Sequence, residues 1–228
     1  MHNHSLSPRR KFLQKIAAGA AAFGLLSIPA SIKAAPSLLD EPSSDAEEWL
    51  KKIKGKHRMV FDATRPHDMM PFAWPKVFLL TNQATGTPAK ENSVVVVLRH
   101  DAIPYAFNDK MWAKYNFGEV FKADDPKTKK PSVRNPFANP QAGDFSVPGL
   151  GVVQIGINEL QQEGVMFAVC DVAMTVYSNV IGGQMKIDPA QVKKDWMANI
   201  LPGIMQVPSG VWAIGRAQEH GCAYCFAG

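Results

Sequence analysis

Cysteine is the residue type in this chain best suited to chemistry, and one of the three cysteines stands apart. In "EGVMFAVCDVAM", Glu163 to Met174, an apolar stretch predicts a strand that stops at Cys170, after which the pattern becomes helical. Unpaired N–H groups at a helix start stabilise the thiolate, which is the nucleophilic form of cysteine. We therefore predict a reactive, catalytic thiol at Cys170; the alternative is a small buried core residue.

The other two cysteines, Cys222 and Cys225, form a CxxC pair in "HGCAYCFAG". Residues three apart on a regular strand point to opposite faces, so a disulfide or a shared metal between them requires a turn or bulge. Three interpretations stay open: a disulfide or redox pair, a metal site, and unlinked cysteines. If the final strand lies near Cys170, exchange through a mixed disulfide would couple all three sulfurs.

Other polar residues follow predicted strands and are candidates for a pocket around the thiol. Arg99 and His100 follow a valine run in "VVVVLRHDA", and His67 follows the first predicted strand in "RPHDMM". A histidine near a thiol accepts a proton or binds a metal. Arg65 and Arg99 would suit an anionic sulfur substrate. The alternative for each of these side chains is an ordinary solvated loop position.

The elements that must position these residues alternate between strand and helix. Strands are predicted in "HRMVFDAT", "NSVVVVLRHDA", "VMFAV", "GIMQVP" and "CAYCFAG", with helices between them. The valine run lacks polar alternation, which is typical of a parallel strand covered on both faces. This order predicts a three-layer α/β/α sandwich with a mainly parallel sheet of about five strands, whose carboxyl ends gather ligands.

Three further segments follow from the pattern. The stretches "PYAFNDKMWAKY" and "VVQIGINELQQEG" each predict a helix. Residues 122–149 are rich in Pro, Asn, Lys and Gly with little periodicity. We predict a long surface loop there, because long segments without secondary structure are usually functional or mobile.

The N-terminal residues 1–34 resemble a twin-arginine export signal. Arg9 and Arg10 precede the apolar run "IAAGAAAFGLLSI", and small residues follow near "SIKAAP". The run is too short for a membrane span, so no stable span is expected after cleavage. Ordinary secretion and a retained N-terminal anchor are the alternatives. We predict a periplasmic or otherwise exported protein, with a tether and short helix at 35–55 and an α/β domain at 56–228.

Charge and motifs exclude several classes of function. Residues 1–34 hold five of the 25 Lys and Arg residues and no acid, so the remaining chain has 20 basic against 20 acidic residues. A chain without a basic surplus lacks the electrostatic signature of a nucleic-acid-binding protein. No P-loop, GxGxxG, GxSxG or HExxH motif is present. Nucleotide-binding and zinc-protease functions therefore have no motif support.

Four segments in order resemble the DsrE/DsrF-like (DsrEFH) family of sulfur-relay proteins: "VVVVLRHDAIPYAF", "INELQQEGVMFAVCDVAM", "ILPGIMQVPSGVWAIGRAQEHG" and "CAYC". The resemblance covers Arg58 to Gly228 apart from residues 122–149. It implies that the strand-end cysteine, here Cys170, accepts and passes on sulfur as a persulfide. It also implies a sulfur donor or acceptor protein, or a small thiol, as partner, and homo- or hetero-oligomers. The family's best-known members are cytoplasmic and do not generally end in CxxC. Because this chain carries the pattern of an export signal, an exported relative is expected.

The leading prediction is an exported sulfur carrier or sulfurtransferase-like protein that uses Cys170. The first alternative is a non-enzymatic periplasmic module in which His67, His100 and Cys170 hold a metal ion or another small ligand. The second is a thiol–disulfide oxidoreductase that uses Cys222 and Cys225. No cofactor is assigned; a metal ion is the one candidate.

Overall fold

A computed structural model of the chain describes residues 44–149 and 151–228. The predicted export signal at 1–34 and the predicted tether up to residue 43 lie outside the described residues. Seven strands are described: β1 (His57–Ala63), β2 (Asn92–Leu98), β3 (Ser146–Val147), β4 (Gly151–Val152), β5 (Val165–Cys170), β6 (Ile204–Val207) and β7 (Ala223–Phe226).

Eight α-helices and two short 3₁₀ segments are described between these strands. The helices are α1 (Ser44–Leu50), α2 (Met70–Ala84), α3 (Asp109–Tyr115), α4 (Phe117–Val120), α5 (Ile157–Gln162), α6 (Asp171–Met185), α7 (Pro189–Met197) and α8 (Gly210–Glu219). The 3₁₀ segments are Ala89–Glu91 and His100–Ala106. In the described part of the chain, no helix is both long and apolar enough to cross a membrane.

Five strands form one sheet in the order β6-β5-β2-β1-β7, and each pairs in parallel with its neighbours. Strands β3 and β4 form a separate antiparallel pair. Parallel neighbours need a crossover connection, which helices supply here. The predicted three-layer α/β/α sandwich with a five-stranded sheet is confirmed.

Two hydrophobic cores lie on opposite faces of the sheet. On the first face, α2 to α7 pack against one side of the strands, with buried residues that include Phe72, Trp112, Phe117, Leu160, Met174 and Trp196. On the second face, α1 and α8 pack against the other side, with buried residues that include Trp49, Leu50, Val60, Val95, Val97, Ala213 and Ala217. The chain therefore changes face after β6, when α8 leads back across the sheet to β7.

Two predicted helices are shorter in the structure than in the sequence pattern. In the first, the chain forms a 3₁₀ segment through Ala106 and extends at Phe107, and α3 starts only after Asn108, whose side chain accepts a hydrogen bond from Met111 N. In the second, Val152 belongs to β4 and the helix runs from Ile157 to Gln162. Asn108 is a good N-cap, and N-caps begin helices.

The segment 122–149 is irregular, but its interpretation as a surface loop is wrong for its aromatic residues. Phe137 and Phe145 are buried in the first core, and the Phe137 ring stacks on Phe72 with centroids 4.0 Å apart. The buried Asn135 side chain donates to the carbonyl oxygens of Tyr105 and Phe107, both at 2.8 Å. The segment is thus part of the core, because its aromatic rings are buried there and the Asn135 amide is hydrogen-bonded to the chain that follows β2.

This packing predicts a large stability cost for Phe137→Ala. Removing a fully buried ring leaves a cavity, so we expect the free energy of unfolding to fall by about 3–5 kcal/mol in urea denaturation. Val133→Ala is the matched control in the same segment, because Val133 is 71% exposed and should change stability by less than about 0.5 kcal/mol. Equal small effects of the two substitutions would contradict the buried placement.

Candidate functional site

The face change of the chain creates a crevice between the carboxyl ends of β5 and β6. After β5 the chain enters α6 on the first face, and after β6 it enters α8 on the second face. Ligands in open α/β sheets bind where neighbouring strands lead to opposite faces, outside the carboxyl ends. The topology therefore places the candidate site beside Cys170 and Ser209.

Cys170 occupies the junction between β5 and α6. It pairs with Val207 of β6, and it is the N-cap of α6, where its Sγ accepts a hydrogen bond from Ala173 N at 3.3 Å. Only 6% of the residue is exposed. The N-terminal N–H groups and the dipole of a 15-residue helix favour negative charge at this sulfur. The predicted strand-end, helix-start position of Cys170 is the one observed.

A cavity of about 260 Å³ opens over the Cys170 sulfur. Its apolar wall comes from the starts of α6 and α8 and includes Val172, Val176 and Val211. Its polar lining is formed by Arg99, His100, Tyr177 and Ser209. Ser209 is the N-cap of α8, with its Oγ accepting from Trp212 N at 3.2 Å. Both helix N-termini thus face the same cavity as the thiol.

Arg99 is held in this lining by a buried carboxylate. Its Nε donates to Asp62 Oδ1 at 2.6 Å and its Nη2 donates to Asp62 Oδ2 at 2.8 Å, while the Asp62 side chain is only 2% exposed. The Tyr224 hydroxyl donates to Asp62 Oδ2 at 2.8 Å. Hydrogen bonding to Asp62 raises the pKa of Arg99, and the charges of Asp62, Tyr224 and Cys170 add to this rise.

The close approach of α8 to Arg99 requires a glycine. A Cβ at Gly210 would lie 2.5 Å from Arg99 Cβ, which is closer than non-bonded carbon atoms approach. Gly210 is the first residue of α8 and also lines the cavity. At the start of α8, Ser209 of the "PSG" sequence therefore caps the helix, and Gly210 leaves the space that the Arg99 side chain occupies.

His100 lies at the rim of the cavity in a small polar cluster. Its Nδ1 is 3.0 Å from Asp101 Oδ1 and 3.2 Å from the Tyr177 hydroxyl, which also donates to Asp101. The His100 side chain is 64% exposed, and its backbone is left-handed with a φ of 52°. His100 is thus in contact with solvent at the cavity mouth.

The structure divides the pocket that the sequence predicts from His67, Arg99 and His100. Arg99 and His100 line the Cys170 cavity, whereas His67 lines a second cavity of about 780 Å³ that is formed with residues 122–129 and 143–146. Arg65 is exposed and lines neither cavity. The reason is that His67 follows β1 and the chain turns there towards α2, away from β5.

The CxxC pair is split by the sheet. Cys222 is buried in the second core, whereas Cys225 of β7 packs against the first core. All three cysteines are free thiols. Strands β2 and β1 lie between β5 and β7, so three strand spacings of about 4.8 Å each separate Cys170 from the pair. Burial raises the pKa of Cys222 to about 11 and also raises the pKa of Cys225.

Several residues of the site have no signal in the sequence alone. Asp62, Tyr177 and Tyr224 come from β1, α6 and β7, and they meet Arg99 and His100 only in the folded chain. Among the described residues, no three His, Cys, Asp or Glu side chains are grouped so that they could hold a metal ion.

The comparisons with known proteins give similarity to a solved structure whose role is not known. No family model and no curated protein matches the chain. A solved structure described as a protein of unknown function from Methanobacterium thermoautotrophicum is 16% identical, with a TM-score of 0.39. The match covers 75% of this chain and 98% of that one.

The Arg99 and Asp62 ion pair predicts an asymmetric effect of removing its partners. Arg99→Gln leaves a buried carboxylate without its cation, so we expect a loss of about 3–5 kcal/mol in the free energy of unfolding. Asp62→Asn leaves a guanidinium that reaches water, so we expect about 1–2 kcal/mol. Urea denaturation of both variants and of the double variant measures the coupling. Strictly additive losses would show that the two side chains act independently.

The raised pKa of Cys222 predicts an unusual pH profile for its alkylation. Only the thiolate reacts, and the folded protein keeps this thiol protonated until the pH approaches 11. In Cys170→Ser/Cys225→Ser protein, the iodoacetamide rate should rise roughly tenfold per pH unit above pH 8 and level off only near the raised pKa. The alkylation rate of the unfolded protein, which is the control, should level off near the ordinary thiol pKa of about 8.5. A native profile that matches the unfolded one would refute the burial of Cys222.

Proposed function

We propose that this protein is an exported DsrE/DsrF-like sulfur carrier, in which Cys170 accepts a sulfur atom as a persulfide and passes it to an acceptor thiol. The observation that carries the proposal is the position of Cys170 Sγ, at the N-terminus of α6 and under a small cavity. Export is proposed from the twin-arginine pattern of residues 1–34.

The local geometry favours the anionic forms that sulfur transfer needs. The sulfur accepts a hydrogen bond from Ala173 N, and the α6 dipole acts on a thiolate and on a persulfide anion in the same sense. A carrier must hold both forms in turn. Burial in the second core raises the pKa of Cys222 to about 11.

The transfer chemistry is balanced without any external oxidant. The Cys170 thiolate attacks the outer sulfur of a donor persulfide, a new S–S bond forms at Sγ, and the donor S–S bond breaks as its inner sulfur leaves as a thiolate. In the second half, an acceptor thiolate attacks the outer sulfur on Cys170. The Cys170 thiolate is then the leaving group and is ready for another cycle.

The burial of Cys170 suits an intermediate that water and other thiols destroy. Cys170 is 6% exposed, and Val172, Val176 and Val211 form the wall of its cavity. His100 lies at the exposed rim of the same cavity.

Sulfur loading of the mature protein tests this function. After incubation with a persulfide donor, intact mass should increase by one sulfur atom, and a reductant should remove it. Peptide mapping should place the added sulfur on Cys170. We expect Cys170→Ser to abolish the gain, since a hydroxyl forms no persulfide.

Cys225→Ser is the matched control, because it removes a half-buried thiol from a strand that is three positions away in the sheet. It should load sulfur as the unsubstituted protein does. Loading that persists in Cys170→Ser, or a Cys170 that fails to load while unfolded protein reacts, would sink the proposal.

A further inference from the structure

The charges that line the Cys170 cavity are of one sign. Arg99 is the permanently charged side chain of the lining, and no Asp or Glu is among the lining residues. Three carboxylates close to the lining residues all have partners: Asp62 binds Arg99 and Tyr224, Asp101 bonds Tyr177 and His100, and Asp171 bonds Lys193 at 2.8 Å and Gln206 at 2.7 Å.

Arg99 keeps one edge of its guanidinium available. Nε and Nη2 donate to Asp62, whereas Nη1 has no hydrogen-bond partner among the described residues. Arg99 lines the cavity, whereas Asp62 does not. The Tyr224 hydroxyl donates to the same carboxylate and so helps to fix the position of Asp62 and, through it, of Arg99.

Two helix dipoles add to this positive field. The starts of α6 and α8, with 15 and 10 residues, both contribute lining residues, and helix N-termini carry partial positive charge. These dipoles add to the positive electrostatic potential of the Arg99 guanidinium. The volume of about 260 Å³ is below the roughly 300–1,000 Å³ of pockets for drug-sized ligands. The cavity therefore suits a small anion.

We infer that Arg99, oriented by Asp62, makes the Cys170 cavity select small sulfur donors that carry a negative charge. This inference rests on the proposed function and assigns the class of donor to it. The anion binds the free edge of the guanidinium, with its transferable sulfur beside Sγ. Transfer then follows the balanced exchange above, in which the donor leaves as an anion that Arg99 continues to stabilise.

Three methanethiosulfonates of different charge test the selection without using sulfur loading. The alkyl groups that they transfer to the thiol are sulfonatoethyl, which is negative, hydroxyethyl, which is neutral, and trimethylammonioethyl, which is positive. In each reaction the Cys170 thiolate attacks the sulfur that bears the alkyl group, a disulfide forms, and methanesulfinate leaves with the electron pair. Peptide mapping measures the rate at which each reagent labels Cys170. Each rate in the native protein is divided by the rate in the unfolded protein.

We expect the negative reagent to label native Cys170 at least about tenfold faster than the positive one, as for a charge-assisted hydrogen bond. The Asp62→Asn/Arg99→Gln double variant removes both charges together and leaves no buried carboxylate alone. Its ratio of rates should fall towards that of the unfolded protein. Arg216→Gln is the matched control, since it removes an equal charge from α8 at a site outside the cavity, and it should keep the ratio.

Ionic strength gives a second measurement that needs no variant. The Debye length falls from about 30 Å at 0.01 M salt to about 3 Å at 1 M, so the preference for the negative reagent should shrink over this range. Equal rates for the three reagents, a preference that survives in the double variant, or an equal loss in Arg216→Gln would overturn the selection by Arg99.

The two proposals fail in different ways. If selection fails while sulfur loading at Cys170 succeeds, the carrier function stands and only the donor class is wrong. If native Cys170 reacts with none of the three reagents while unfolded protein reacts with all of them, both the anion selection and the sulfur-carrier function are overturned.

Discussion

Strand β2 has no polar face, and the rest of the fold follows from that constraint. Every side chain from Val94 to Leu98 is at most 1% exposed, so the sheet needs a helical layer on each side. Helices α2 to α7 cover one face and α1 and α8 cover the other. To build both layers, the chain crosses from α1 on the second face to α2 on the first, and after β6 it changes face again. This change opens the crevice beside Cys170.

The site depends on the same arrangement at a finer scale. The buried Asp62 needs a cation, and Arg99 at the end of the neighbouring strand supplies it through two hydrogen bonds. Gly210 makes room for that arginine under α8. Strands β1, β2, β5 and β7 thereby contribute to one cluster at one sheet edge. A thiol at the start of α6, under a positively charged lining, is chemically suited to carry an anionic sulfur species.

Periodicity and composition were sufficient to predict the five strands of the main sheet and the class of fold, but not β3 and β4. The valine run, the apolar stretch before Cys170 and the turn from strand to helix after it all correspond to described elements. Two helices were predicted too long, because Phe107 and Val152 fit a helical pattern but adopt extended backbone. The pattern of segment 122–149 predicts a surface loop, because its burial comes from isolated rings such as Phe137 that no local period reveals.

What the sequence by itself determined is local: a cysteine after an apolar strand, an arginine and a histidine after another, and a strand and helix order that fits one class of sheet. The tertiary structure decided which of these residues meet. It placed Arg99 and His100 at the thiol, sent His67 to another cavity, and put Cys222 and Cys225 on opposite faces of the sheet. The reason is that strand order and the crossing of α8 depend on packing between distant segments, which local periodicity does not encode.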